Sequence, residues 1–377
     1  MGQQLDFPKG RLRQRRHFLL GAGATLTSLG LSTALSSCGW TLANVRPPVT
    51  GGDPNQLFIY TWSGYIDEEL LKAFEQETGI RAIVDVFDAN ETMLARLQAG
   101  GGGAYSVIYP SDYMVQKMVE LDLLQELDKS LILGLEQLFP RFQDPAYDRG
   151  NRFSVPAAWG TTGLIYNTKA LKQPVEDWQY LWDNQQILSK KITLINDVRE
   201  VMGATLRKLG FSYNSTDPQQ INQAYQQLVQ LKPSIAAFTS DAWSPQILAG
   251  DLLVSMCYSS DANQVIAENP ALRYVVPSSG SSSYVDTIVI PKSAPNSQGA
   301  YAWINFLLQP QIAMQVVKNL KFATPNQVAF DQLSPELKQD QTLFPTPATL
   351  EKLEGITPIA DDISAIFDDY WTRLTSA

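Results

Sequence analysis

The chain has 377 residues, with 29 Lys and Arg against 38 Asp and Glu, and a formal net charge of −9. That balance disfavours nucleic acid and anionic lipid surfaces and suits a cationic ligand. His17 is the one histidine and Cys38 and Cys257 the two cysteines, so everything after residue 17 lacks Ser-His-Asp and Cys-His catalysis and histidine-built zinc sites.

In chain order, Arg15 and Arg16 precede an apolar, small-residue stretch over 17–35, which stops at Leu35-Ser36-Ser37-Cys38. A basic start, an apolar middle and a small-residue exit make an export signal over 1–37. Arg15-Arg16 followed by Phe18-Leu19 resembles a twin-arginine signal. A cysteine at the exit resembles the lipobox of bacterial lipoproteins, which makes Cys38 the expected lipidation site and new N-terminus. A retained transmembrane helix is the alternative, but Gly21, Gly23, Gly30, Ser28 and Ser32 leave the stretch weakly apolar. Removal of 1–37 takes five basic residues, one acid and the histidine with it, leaving 24 basic and 37 acidic side chains and a net charge of −13. Residues 38–54 read as a tether, broken by Arg46-Pro47-Pro48 and Gly51-Gly52-Asp53-Pro54.

Beyond the tether, strands and helices alternate. Strands are expected over 57–60, 80–87 and 106–109. Helices are expected after each: one carrying Ile66, Leu70, Leu71 and Phe74 and stopped by Gly79, one over 91–98, and one over 111–121. The glycines at 100–103 lack the Lys-Ser or Lys-Thr of a P-loop and read as a turn. This βαβα order implies a parallel sheet flanked by helices. A second set follows residue 160, with strands over 192–195, 235–238, 252–256, 272–276 and 287–290. Its helices are placed over 198–209, 218–231, 259–268, 298–308, 310–320 and 361–374, and a serine-rich block over 278–283 stays unassigned. Cys257, inside Leu252-Leu253-Val254-Ser255-Met256-Cys257, reads as a small buried hydrophobe, with a Cys38 disulfide as the alternative. Two α/β units in one exported chain point to a bilobal α/β binding protein, with a cleft at the carboxyl ends of the strands.

Candidate site residues follow from strand ends. Trp62 lies after the first strand, and Ser111-Asp112-Tyr113 after the third, where Ser111 or Asp112 also suits a helix N-cap. Asp197 and Glu200 have capping-box spacing at a strand-to-helix turn, and either cap that helix or aim two carboxylates at the cleft. Tyr284 and Asp286 alternate onto one strand face, and Tyr258 ends another strand. Asp361-Asp362 and Asp368-Asp369 read as the solvated face of the last helix.

Several segments together resemble the spermidine/putrescine-binding proteins of bacterial ABC importers, from about residue 57 to 374. They include Trp62-Ser63-Gly64-Tyr65, Asn90-Glu91-Thr92-Met93, Pro110-Ser111-Asp112-Tyr113, Asp197-Val198-Arg199-Glu200, Ile304-Asn305-Phe306-Leu307 and Thr324-Pro325-Asn326. The resemblance implies the bilobal periplasmic-binding-protein fold, two α/β lobes joined by crossing hinge segments. One lobe would span 55–160 and 286–330, the other 161–285 and 331–377. It implies no enzymatic activity and no cofactor. The expected partners are a polyamine, the permease and ATPase of an importer, and a membrane held through the lipid; nucleic acid is not among them, and the protein is expected to be a periplasmic monomer. The implied binding residues are Trp62, Ser63, Ser111, Tyr113, Asp197, Glu200, Ser240, Tyr258, Tyr284, Asp286 and Phe322, with Thr357 a further match. Gly64 stands where relatives carry an acid, Tyr258 and Tyr284 where tryptophans are usual, and Phe322 where a tyrosine is usual. Alternatives are a binding protein for another cationic or zwitterionic solute, ferric iron included, and an exported lyase or hydrolase.

Overall fold

A computed structural model describes residues 53–376. The expected export signal over 1–37, Cys38 and most of the expected tether lie outside the described residues.

The first unit begins with β1 (Gln56–Trp62), α1 (Glu68–Thr78), β2 (Arg81–Phe87), α2 (Asn90–Gln98), β3 (Val107–Ile108) and α3 (Asp112–Glu120). Local chemistry sets these boundaries. Asp67 accepts the Leu70 N–H at 2.7 Å and caps α1, and Gly79 ends it with φ 72°, a left-handed conformation that glycine adopts without a steric penalty. Residues 101–104 form a 3-10 turn. β1 pairs in parallel with both β2 and β3, as the βαβα order predicts.

After the short α4 (Pro140–Gln143) comes β4 (Ser154–Asn167), 14 residues long. No strand is expected there, because small residues and two glycines hide it. Nearly all of it is buried on both faces, so it has no polar alternation. Its glycines allow close approach: a Cβ on Gly160 would meet Ser259 Oγ at 2.7 Å, and one on Gly163 would meet the Tyr274 hydroxyl at 2.7 Å.

The second unit contains α5 (Gln179–Asp183), β5 (Ile192–Leu194), α6 (Val198–Lys208), α7 (Pro218–Leu231), β6 (Ile235–Phe238), α8 (Trp243–Ala249), β7 (Val254–Tyr258), α9 (Ser259–Glu268) and β8 (Leu272–Val275). β9 (Ser281–Val289) then returns to the first unit. It begins six residues before the expected 287 and takes in the second half of the serine block. Ser281 and Ser282 are buried because partners satisfy them: Ser281 Oγ donates to Thr162 O at 2.6 Å and Ser282 Oγ to Glu200 Oε2 at 2.8 Å. The chain finishes with α10 (Ser297–Leu308), α11 (Pro310–Leu320), α12 (Gln327–Gln332), α13 (Pro335–Gln339), α14 (Pro347–Leu350), β10 (Leu353–Gly355) and α15 (Asp361–Ser376).

The strands follow the order β2-β1-β3-β9-β4-β7-β5-β6, with β10 beside β9 and β8 beside β4. Both ends of this path are parallel, as expected. The middle is not: β3–β9, β9–β4 and β4–β7 are antiparallel. β4 and β9 are the crossing segments. The first half of β4 pairs with β9, and its second half pairs with β7 and β8.

Each lobe has apolar packing on both faces of its sheet. In the first, Leu57, Phe74, Trp303 and Phe306 form one cluster, and Tyr60, Met93, Met114 and Met118 another. In the second, Trp178, Leu206, Tyr213, Leu228 and Phe367 form one cluster, and Trp243, Ile247, Cys257 and Tyr274 the other. Cys257 is buried and free, as a small hydrophobe. The acid pairs at 361–362 and 368–369 are exposed. Leu333 and Leu343 pack with Val317, and Phe344 and Leu350 lie against the first lobe's core, so 333–350 are carried by that lobe. No helix among the described residues is long and apolar enough to cross a membrane.

Candidate ligand-binding site

The carboxyl ends of the strands bring a set of carboxylates and aromatic rings into one space. On the first lobe, the turn after β1 carries Trp62-Ser63-Gly64-Tyr65. Trp62 packs on Phe87 with ring centroids 4.4 Å apart, and its indole N–H is buried without a partner. Ser63 is exposed. Gly64 has φ 79°, and a Cβ there would meet nothing within 4 Å. Beyond this bend, Tyr65 turns its hydroxyl onto Asp286 Oδ2 and packs its ring, tilted by 44°, against Phe322 with centroids 4.2 Å apart.

Asp286 sits in β9, and Ser111 bridges to it in antiparallel register. Ser111 occupies the N-cap position of α3 but makes no side-chain cap bond; its hydroxyl donates to Asp286 Oδ1 at 2.8 Å. Asn90 orders this corner from α2. Its amide donates to Ser111 Oγ and to Tyr113 Oη, each at 3.1 Å, and the Tyr113 hydroxyl donates onward to Glu91 Oε1 at 3.1 Å.

On the second lobe, Asp197 caps α6: one oxygen accepts the Arg199 and Glu200 N–H groups at 2.8 and 3.1 Å. Glu200 does not complete a capping box. Its carboxylate accepts the Tyr213 hydroxyl at 2.9 Å and the Ser282 hydroxyl at 2.8 Å. Tyr258 and Tyr284 meet edge to face, centroids 5.2 Å apart, and the Tyr284 and Ser260 hydroxyls are 3.2 Å apart. Thr357 is held at this end through its carbonyl, which accepts from Arg199 at 3.1 Å. Ser240 is the outlier. Its carbonyl accepts the Trp243 indole N–H at 2.9 Å, and no described hydrogen bond ties its hydroxyl to the carboxylates.

The electrostatics are one-sided. Burial raises Asp286 to about 6, against two hydroxyl bonds that favour its ionised form. Burial and then Asp197 raise Glu200 to about 7. Burial is again the main cause that raises Asp112 to about 8, with Asp286 and Glu200 adding to it. Asp197 is raised by burial and by Glu91 of the opposite lobe. Asp112 feels Glu200 and Asp197 feels Glu91, so acids of the two lobes act on one another. None of Asp112, Asp197, Glu200 and Asp286 has an ion-pair partner among the described residues. Arg199 is the cation nearest in effect to Asp197, but it spends its bonds on Thr357 and Asn214. Among the described residues no group of His, Cys, Asp or Glu is arranged to hold a metal.

The structure joins Asp286 to Ser111 and Tyr65, Tyr65 to Phe322, Asn90 to Ser111 and Tyr113, and Glu200 to Asp197, and it sets Tyr258 against Tyr284 and Trp62 against Phe87. It adds Tyr65, Asn90, Asp112 and Tyr213. Tyr65 and Asp112 lay inside quoted motifs at strand ends. Asn90 opened a quoted segment but its role depends on partners across the fold, and Tyr213, in the turn after a helix, gave no such signal.

Two α/β lobes, crossing strands and an acidic, aromatic-lined cleft define a solute-binding protein. Residues 69–346 match the model of the bacterial extracellular solute-binding protein family. The spermidine/putrescine-binding periplasmic protein of Salmonella typhimurium is 35% identical over 360 residues, covering 95% of this chain and 97% of its own. The crystal structure of PotD, a spermidine/putrescine ABC transporter substrate-binding protein from Streptococcus pneumoniae, superposes with a TM-score of 0.78 at 36% identity, over 85% of this chain and 99% of its own. A putative spermidine/putrescine ABC transporter from Listeria monocytogenes gives 0.79 at 35% identity, over 85% and 98%. This chain belongs to the bacterial extracellular solute-binding protein family, and its fold is the bilobal periplasmic-binding-protein fold.

Proposed function

We propose that the chain is the extracytoplasmic solute-binding subunit of an ABC importer, that it binds putrescine or spermidine in the cleft between its lobes, and that it hands the polyamine to a permease driven by an ATPase. The observation that carries this is the set of buried carboxylates with no ion-pair partner among the described residues. A buried carboxylate without a counter-ion is costly and takes up a proton instead. A polyamine supplies ammonium groups spaced by methylenes, and each ammonium can replace such a proton. Aromatic walls then cover the methylenes and attract the neighbouring cations, each contact worth about 0.5–2 kcal/mol.

In this reading Asp286 with Ser111 and Tyr65 holds one ammonium, and Asp197 with Glu200 holds another. Trp62, Tyr113, Tyr258, Tyr284 and Phe322 line the path between, and Ser63, Ser240 and Thr357 stand at its margins. Gly64, having no side chain, offers one terminal ammonium no carboxylate. The protein binds and releases without making bonds. The lobes comprise 55–160 with 286–330 and 161–285 with 331–377, except that 333–350 ride on the first lobe, a placement supported by the packing of Leu333 and Leu343 on Val317. The names of the relatives support a periplasmic location. The twin-arginine-like signal and Cys38 support export and a lipid anchor for a monomer held near its permease.

A thermal-shift screen against putrescine, spermidine, spermine and cadaverine tests the reading, since specific binding raises the melting temperature by mass action. Putrescine or spermidine should give the largest rise. A rise with an anionic or neutral solute and none with any polyamine would reject it.

A further inference from the structure

We infer that a second cavity, beside the crossing strands, is a binding site for a small carboxylate with an apolar body. Its volume is about 330 Å³, within the range of small-molecule sites. The walls are mostly apolar, including Phe142, Pro145, Trp159, Val285, Leu350 and Leu353. Of the cleft residues, Tyr284 alone also lines it.

The polar groups at this cavity decide the ligand's charge. Arg141, at its edge, is stacked over the Trp159 ring at 4.0 Å and over Phe142 at 4.6 Å. In a chain with a net charge of −9, that guanidinium has no ion pair or hydrogen bond among the described residues. Desolvation lowers it to about 10 with no carboxylate to offset the effect. Stacking fixes the plane of the guanidinium and leaves its edge of N–H donors unused, the geometry that grips a carboxylate with two parallel bonds. The residue keeps exposed surface, which leaves the cavity open to solution. Tyr147, also in the wall, buries its hydroxyl without a partner. Burial and the charges of Asp112, Asp148 and Asp286 keep that phenol protonated, so it is a hydrogen-bond donor. Two unused donors above an apolar chamber fit an anionic head and a hydrocarbon body. A polyamine, which brings only donors and positive charge, does not fit.

Calorimetric titration of the full chain with benzoate and hexanoate tests this, with acetate and benzyl alcohol as controls. Saturable one-to-one binding of benzoate or hexanoate is expected, with acetate weaker for want of a body and benzyl alcohol silent for want of a charge. Arg141→Gln should weaken the carboxylate by at least about tenfold, the loss of charge-assisted hydrogen bonds, and Arg141→Lys should recover only part. Both variants should keep the wild-type circular dichroism and polyamine response. Absence of saturable carboxylate heat, or equal affinity in Arg141→Gln and wild type, would overturn the assignment.

Discussion

Each lobe presents one buried carboxylate gripped in the same way, by a tyrosine hydroxyl and a serine hydroxyl. Asp286 has Tyr65 and Ser111; Glu200 has Tyr213 and Ser282. The two still differ. Asp286 is raised to about 6 with no acid among its causes, whereas Glu200 reaches about 7 with Asp197 three residues away on the same helix turn. Asp112 feels the Asp286 charge and holds its proton up to about 8, so near neutral pH Asp286 carries the single charge of its end, whereas the Glu200 end gains from a cation that two acids share.

The largest effect should come from removing the single charge. Asp286→Asn is expected to weaken polyamine binding by about 30- to 100-fold, the value of a charge-assisted contact in a dry site. Glu200→Gln leaves Asp197 in place and should lose about tenfold. Affinities measured by equilibrium dialysis in both variants would decide; equal losses would erase the distinction between the two ends.

Removing the gripping hydroxyls should have a smaller effect. Tyr65→Phe and Tyr213→Phe each delete one donor that favours an ionised carboxylate, and each should weaken binding by about three- to tenfold. The pH at which binding reaches half its maximum should move upward in both. An unmoved pH profile would mean that these phenols only pack.

The smallest effect is on the ligand-free protein. Asp286, Glu200 and Asp112 have folded-state pKa values of about 6, 7 and 8, all above the unfolded value of about 4. The folded state thus holds protons that the unfolded chain has lost. The stability they contribute is complete below about pH 4 and is lost as pH rises through 6 to 8. The melting temperature without ligand should fall between pH 5.5 and 8.5, and the rise caused by polyamine should grow over the same interval, changes of about a few degrees. A flat ligand-free profile would show that these groups titrate normally.

Much of this was legible in the sequence, where chemistry is local. Asp67 and Gly79 mark the ends of α1, and Asp197 and Glu200 stand at a visible helix start. The crossing strands were harder to see. β4 is buried on both faces and built from small residues, and the first residues of β9 are serines whose burial depends on acceptors elsewhere in the fold. The site was legible as positions but not as contacts. Tyr65 lies 221 residues from Asp286 in sequence, and only the register of β9 brings them together. Ser111 could be read as a cap, yet its hydroxyl serves Asp286. Asp112 could be read as a capping acid at the surface, and burial makes it the most strongly raised of the cleft acids given a value.

The central claim is that cationic amines replace protons on the cleft carboxylates. Calorimetry with putrescine and spermidine, at pH 6.5 and pH 9 in buffers of different ionisation enthalpy, reads this directly. At pH 6.5 the expected result is one-to-one binding with release of roughly one proton, since Asp286 and Glu200, which titrate near 6 and 7, must ionise to hold the ligand. At pH 9 the affinity should be higher and the release close to zero. Absence of heat with every polyamine, or binding at pH 6.5 that is independent of the buffer, would contradict it.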